Sequence, residues 1–183
     1  MGQDKALLPI AGKPMLQQIS EIAESLGDRH LVVTPWGDRY QAILSKQWEF
    51  VAEVWEEGAI APPGPLIGFA QGLCCVTSEW VLLLACDLPN LHLATLQQGM
   101  TQLDSVDESV CAVLTKDDRG WQPLCGFYRV RCLPDLEQFI ASGGRSFQRW
   151  LASLTVQEWQ VADEEMFYNC NTPEDWQQWG DRK

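Results

Sequence analysis

The chain has 183 residues, 46% of them hydrophobic, and 25 acidic against 13 basic side chains give a net charge of −12. That length and apolar content suit one globular domain, residues 1–183, with a full core, and they exclude a disordered chain. The acidic balance argues against nucleic acid as a partner, because such binding neutralises phosphates over a broad basic face.

The opening stretch "MGQDKALLPIAGKP" crowds two glycines, two prolines and two lysines ahead of any periodic pattern. After it, Met15, Leu16, Ile19, Ile22, Ala23 and Leu26 recur at helical spacing, with Pro14 suited to the first turn and Gly27 to a left-handed stop. "HLVVT" (30–34) is predicted as a strand, 38–46 as a polar helix and "EFVAEV" (49–54) as a second strand. "EEGAIAPPGP" (56–65) is a loop by its glycine and proline content, and a helix follows it. "WVLLLAC" (80–86) is apolar on both faces, as in a strand buried between helix layers. It falls well short of the roughly 20 apolar residues that span a bilayer. A helix over 92–103 and a strand over 109–115 come next. Strand and helix alternate in an order that predicts an α/β fold on a parallel sheet. Residues 123–130 and 155–162 read as further strands, separated by two short helices, and "TPEDWQQW" as a closing capped helix.

The seven cysteines are scattered, none in a C-x-x-C pair, and His30 and His92 lie far apart in sequence. Zinc needs a tighter cluster. Buried, reduced thiols are the expectation, and with no leader-like or membrane-spanning stretch they point to the cytoplasm.

Four places could carry chemistry, each with a plain alternative. Asp87 follows directly on the strand "WVLLLAC", at the carboxyl end where ligands of open α/β sheets bind. It can hold Mg²⁺, or it can cap the loop behind it. Lys5 can neutralise phosphate, or sit on the surface as most lysines do. The turn "PPGPLIG" (62–68) can bring backbone N–H groups to a ligand because Gly64 has no side chain, or can be a stiff connection. In "NCNTPEDW" (169–176) a helix cap at Thr172 accounts for the threonine but not for Asn169 and Asn171.

Taken together and in order, "MG-x-DKALLP-x-x-GKPML", "PPGPLIG", "LLLACDLP" and "NCNTPEDW" resemble the molybdenum cofactor guanylyltransferases over nearly the whole chain. The resemblance implies a Rossmann-like three-layer nucleotidyltransferase fold with a mostly parallel central sheet. It implies Mg²⁺-dependent transfer of GMP from GTP to the molybdopterin form of the molybdenum cofactor, with release of pyrophosphate. Further partners would be molybdenum cofactor biosynthesis proteins and apo-molybdoenzymes. By the same resemblance Lys5 contacts the triphosphate and Asp87 holds Mg²⁺. Gly64, Pro65 and Leu66 help enclose the guanine, and Asn169 and Asn171 lie on the pterin side. Two positions depart from the pattern. Thr34-Pro35 stands where many members have an asparagine, and the aspartate before the G-P-L turn is replaced by a glutamate. Ungapped counting selects Glu57, and Glu53 fits with a gap.

Three readings stay open at this point: the guanylyltransferase, a relative acting on CTP or a sugar phosphate, and an inactive protein that binds the pterin or a partner. In the family a strand and a loop "L-A-G-G-x-S-x-R" precede "M-G-x-D-K". The expectation is therefore about ten or more residues before Met1 carrying that phosphate-cradling loop.

Overall fold

The computed structural model describes residues 4–10, 12–55, 64–161 and 164–167. A 3-10 turn at Lys5–Leu7 leads into two short antiparallel strands, β1 (Pro9–Ile10) and β2 (Lys13–Pro14). Helix α1 (Met15–Ala23) follows and buries Met15, Leu16 and Ile19, the positions its periodicity selects. It ends on Glu24, whose N–H reaches Ser20 O at 2.9 Å. Gly27 is not left-handed as expected, so the stop is made by an ordinary right-handed turn.

Next come β3 (His30–Thr34), α2 (Gly37–Tyr40), β4 (Trp48–Ala52), α3 (Pro65–Leu73), β5 (Trp80–Leu84) and α4 (Leu93–Gln102). The predicted polar helix is thus cut to the four residues of α2. After α4 come β6 (Ala112–Asp117), β7 (Gly120–Arg129), α5 (Leu133–Ala141), α6 (Phe147–Leu151) and β8 (Val156–Glu158). Among the described residues, β3 and β4 form one parallel ladder and the remaining long strands a second sheet in the order β5-β7-β6-β8.

That second sheet is mixed. Strands β5, β6 and β8 run one way, and β7 runs antiparallel between β5 and β6. The cause is local: β6 and β7 are joined through Asp118 and Arg119 alone, and so short a link permits only a hairpin. Asp117 shapes it by accepting the Arg119 N–H at 2.8 Å.

Successive residues of the strands point to opposite faces, so one sheet feeds two cores. Val113 and Phe127 pack with Met15, Ile19, Leu96 and Trp159, under α1 and α4. Leu114 and Tyr128 pack with Leu66, Phe69, Leu136 and Trp150, under α3, α5 and α6. Helices on both faces of a sheet make the three layers. Helix α3 also ties in the smaller ladder: it lies so close to β3 that a Cβ on Gly72 would stand 2.8 Å from Val33 Cγ2.

Two expectations change. Strand β5 is half-buried along its whole length, not sealed between layers, because β7 is its sole strand neighbour among the described residues. The six described cysteines are free thiols as expected, but only Cys125 and Cys132 are fully buried, and Cys74 is exposed.

Candidate active site

Asp87 lies just past β5, where the Ala85 N–H still bonds Leu124 O at 2.7 Å. Leu88 and Leu91 are buried in the core beneath α1 and α4 and so anchor the loop that carries it. Helix α4 begins only at Leu93 with His92 as its cap, so Asp87 is not capping that helix. Its Oδ1 is buried without a hydrogen-bond partner, and its Oδ2 stands 4.0 Å from Lys5 Nζ. Burial pushes the Asp87 carboxyl up, and the Lys5 ammonium offsets only part of that rise.

Lys5 sits on the 3-10 turn, which Asp4 holds in place. Asp4 Oδ1 accepts the Ala6 N–H at 3.1 Å. Its Oδ2 accepts the Tyr40 hydroxyl at 2.8 Å and Arg39 Nη1 at 2.9 Å. Burial alone would raise the Asp4 carboxyl, but these bonds together hold it below the usual carboxylate range. Tyr40 is buried with Ala6, Leu16 and Leu44, and Cys86 packs against the same cluster. Burial, with Asp87 and Asp4 close by, pushes the Cys86 thiol up to about 11, so it stays protonated and unreactive at neutral pH.

Thr34 ends β3 and is buried, its Oγ1 accepting the Trp36 N–H at 3.2 Å. It lines an open groove of about 480 Å³ at the carboxyl ends of β3 and β4, together with Trp36, Arg39, Phe50 and Ala52. Trp36 is 46% exposed there, and Arg39 Cζ lies 5.1 Å from its ring centre. Arg39 thus joins the groove to Asp4 and through it to the Lys5–Asp87 pair. A smaller cavity of about 210 Å³ is lined by Leu88, Asn90 and His92 from the loop after Asp87, with Ile10 and Met15 among others.

Gly64 caps α3 with φ 90° and ψ 165°, a conformation that suits glycine, and Pro65 takes the first helical position. Leu66 is fully buried against Phe69 and Tyr128, so its side chain belongs to the core and only its backbone can face a ligand. Glu53 follows β4, its N–H bonded to Thr34 O at 3.2 Å. Its Oε1 lies against α3, 3.4 Å from where a Cβ on Gly68 would stand. Glu57, Asn169 and Asn171 lie outside the described residues.

The structure therefore brings Lys5 and Asp87 together and puts Thr34 and Glu53 at neighbouring strand ends. Sequence reasoning missed Arg39 and Tyr40, and read the Asp4-Lys5 pair for its lysine alone. No local spacing could have linked residue 4 to residues 39 and 40. An ammonium beside a carboxylate with one unsatisfied oxygen can bind phosphate and a divalent cation together. No group of three or more His, Cys, Asp or Glu able to hold a metal occurs among the described residues. Mg²⁺ commonly takes only one or two carboxylates and fills the rest of its shell with water and substrate oxygens, so a single Asp87 carboxylate among the described residues is compatible with such a cation.

A three-layer α/β fold with an acid and a lysine beside a strand end suits a nucleotidyltransferase. The solved structure of molybdopterin-guanine dinucleotide biosynthesis protein A from Archaeoglobus fulgidus shares this fold, with a TM-score of 0.76 at 19% identity over 97% of this chain and 89% of that one. Residues 1–158 match the family model of the MobA-like NTP transferase domain. The chain is 52% identical over 175 residues to the "Probable molybdenum cofactor guanylyltransferase" of a Nostoc species, covering 96% of this chain and 82% of that protein. It is 42% identical over 177 residues to the like-named protein of Synechococcus elongatus, covering 97% and 90%. The chain belongs to the MobA-like NTP transferase family.

Proposed function

We propose that this protein transfers GMP from GTP to the molybdopterin form of the molybdenum cofactor, giving the guanine dinucleotide cofactor and pyrophosphate. The observation that carries the reading is the Lys5–Asp87 pair at 4.0 Å, with Asp87 Oδ1 buried and unpartnered at a strand end. The names of the relatives supply the substrate pair.

In the reaction an oxygen of the pterin's phosphate attacks the α-phosphorus of GTP. The bond from that phosphorus to the bridging oxygen breaks, and pyrophosphate leaves. No protein nucleophile is needed, so catalysis rests on positioning and charge neutralisation. The unpartnered Asp87 Oδ1 fits a Mg²⁺ ion, which when bound would polarise the phosphoryl group and orient acceptor and leaving group. Lys5 neutralises triphosphate charge as a point cation. Gly64, Pro65 and the backbone of Leu66 close over the nucleotide from the start of α3. Glu53 or Glu57 takes the place of the family aspartate. The guanine lies toward Thr34, with Trp36 as an aromatic wall, and Asn169 and Asn171 serve the pterin side.

The chain acts as a single domain in the cytoplasm, in keeping with its six free described thiols. Its partners are molybdenum cofactor proteins and apo-molybdoenzymes, and its acidity keeps it off nucleic acid. No described helix is long and apolar enough to cross a membrane. The test is incubation with molybdopterin cofactor, Mg²⁺ and either GTP or CTP, with the products read by mass spectrometry. A guanine dinucleotide formed in preference to the cytosine one is expected. Cytosine product would indicate the CTP-using relative, and no product from either nucleotide a binding-only protein.

A further inference from the structure

Both oxygens of Asp4 are engaged: Oδ1 by the Ala6 N–H, and Oδ2 by Tyr40 and Arg39, which come from α2. Capping the 3-10 turn needs only the first of these bonds. A three-residue 3-10 turn has little stability of its own, so the direction in which Lys5 points must come from tertiary contacts. In its neighbourhood three hydrogen bonds converge on Asp4. Tyr40 is only 5% exposed, and its ring is already accommodated among Ala6, Leu16 and Leu44. A phenylalanine would fill that space equally well, and burying a hydroxyl costs free energy unless it is bonded. The hydroxyl therefore serves its bond to Asp4 rather than the core.

We propose that Tyr40, with Arg39, is a positioning residue of the transfer reaction: acting through Asp4, it fixes the turn that holds the Lys5 ammonium opposite Asp87. Tyr40 does not itself touch the reacting atoms. Arg39 shares the task, but its contact with Trp36 also makes it part of the groove wall, so Tyr40 is the cleaner probe. The inference rests on the guanylyl-transfer reading and assigns a role that reading does not contain.

The test is a double-mutant cycle on the full chain with Tyr40→Phe, Lys5→Ala and both together, and with Asp4→Asn as a second way of breaking the clamp. Tyr40→Phe is expected to lower kcat about tenfold while KM for the pterin acceptor stays within about twofold, because the acceptor does not meet Lys5. In the Lys5→Ala background it should change kcat by less than about twofold, since a residue acting through Lys5 has nothing left to position. Asp4→Asn should reproduce the loss. Additive losses, a wild-type kcat in Tyr40→Phe, or equal damage to kcat and acceptor KM would overturn the proposal. Should the wild-type chain form no dinucleotide from GTP, the underlying reading fails. The same cycle is then read as calorimetric affinity for magnesium tripolyphosphate, where coupling between Tyr40 and Lys5 supports the clamp and additivity overturns it.

Discussion

Lys5 Nζ faces Asp87 Oδ2 at 4.0 Å, the one reaching the site on a 3-10 turn near the start of the chain and the other on the exit from β5. A bonded ammonium–carboxylate pair closes to about 2.7–2.9 Å, so this pair is loose. It is also half-sheltered, the two side chains being 34% and 20% exposed. Separating these two charges to admit a third group costs less than breaking a close ion pair would, and a metal-bound triphosphate carries both signs of charge.

Lys5→Ala should therefore weaken GTP binding by about tenfold at low ionic strength, corresponding to roughly 1.4 kcal/mol. The difference should narrow as salt is raised, because Lys5 is partly exposed and its field is screened. Pterin binding should change less. Calorimetric titration of both ligands at two salt concentrations decides the matter, and equal losses for both would indicate damaged folding instead.

The Asp87 carboxyl gives a stability prediction whose sign follows from burial. Its folded pKa is raised, so its favourable contribution is full below the unfolded value of about 3.9 and is lost as pH climbs through the folded value. At neutral pH the charged group weighs against folding. Without divalent cations, Asp87→Asn should melt at pH 7 about 1–3 °C above the wild type, with the gap closing toward pH 4. Melting several degrees below the wild type at pH 7 would show that the carboxylate supports the fold.

Much of the framework was legible in local pattern. The period of Met15, Leu16 and Ile19 marked the buried face of α1, and the apolar run before Asp87 marked a strand with the acid at its mouth. Less was legible where distant chain decides. The Tyr40–Asp4 bond joins segments with no shared pattern, and "GDRYQ" reads simply as polar. Leu66 falls in a motif that pointed to ligand, yet its helix turns it into the core. The reversed β7 has its local cause in "KDDRGW", a turn signal between two strand-like runs that outweighs the tendency of alternating strands and helices to pair in parallel.

Trp36→Ala tests the groove. Stacking of a base on an aromatic ring is worth about 1–3 kcal/mol in nucleic-acid complexes. Removing the ring should weaken GTP binding by about fivefold or more, toward the lower end of that range, and leave tripolyphosphate binding unchanged. Equilibrium dialysis of the two ligands separates the cases, and equal weakening of both would place Trp36 away from the base.

Gly64→Ala probes the turn before α3. Nothing stands within 4 Å of a Cβ there, so the cost is conformational: at φ 90° an alanine is strained by about 1–2 kcal/mol. Thermal melting should fall by about 2–6 °C. An unchanged melting point would mean the turn relaxes freely and does not hold the backbone rigidly toward a ligand.

The account stands most directly on Asp87 as the residue through which Mg²⁺ serves GMP transfer. The measurement is the rate of guanine dinucleotide formation against Mg²⁺ concentration, for the wild type and for Asp87→Asn with its fold checked by circular dichroism. The wild type should show saturable dependence on Mg²⁺, and the folded variant should lose about a hundredfold or more in kcat at every concentration, because a metal at such a site supplies several kcal/mol to the transition state. A folded variant that turns over at the wild-type rate, with the same dependence on Mg²⁺, would contradict the account.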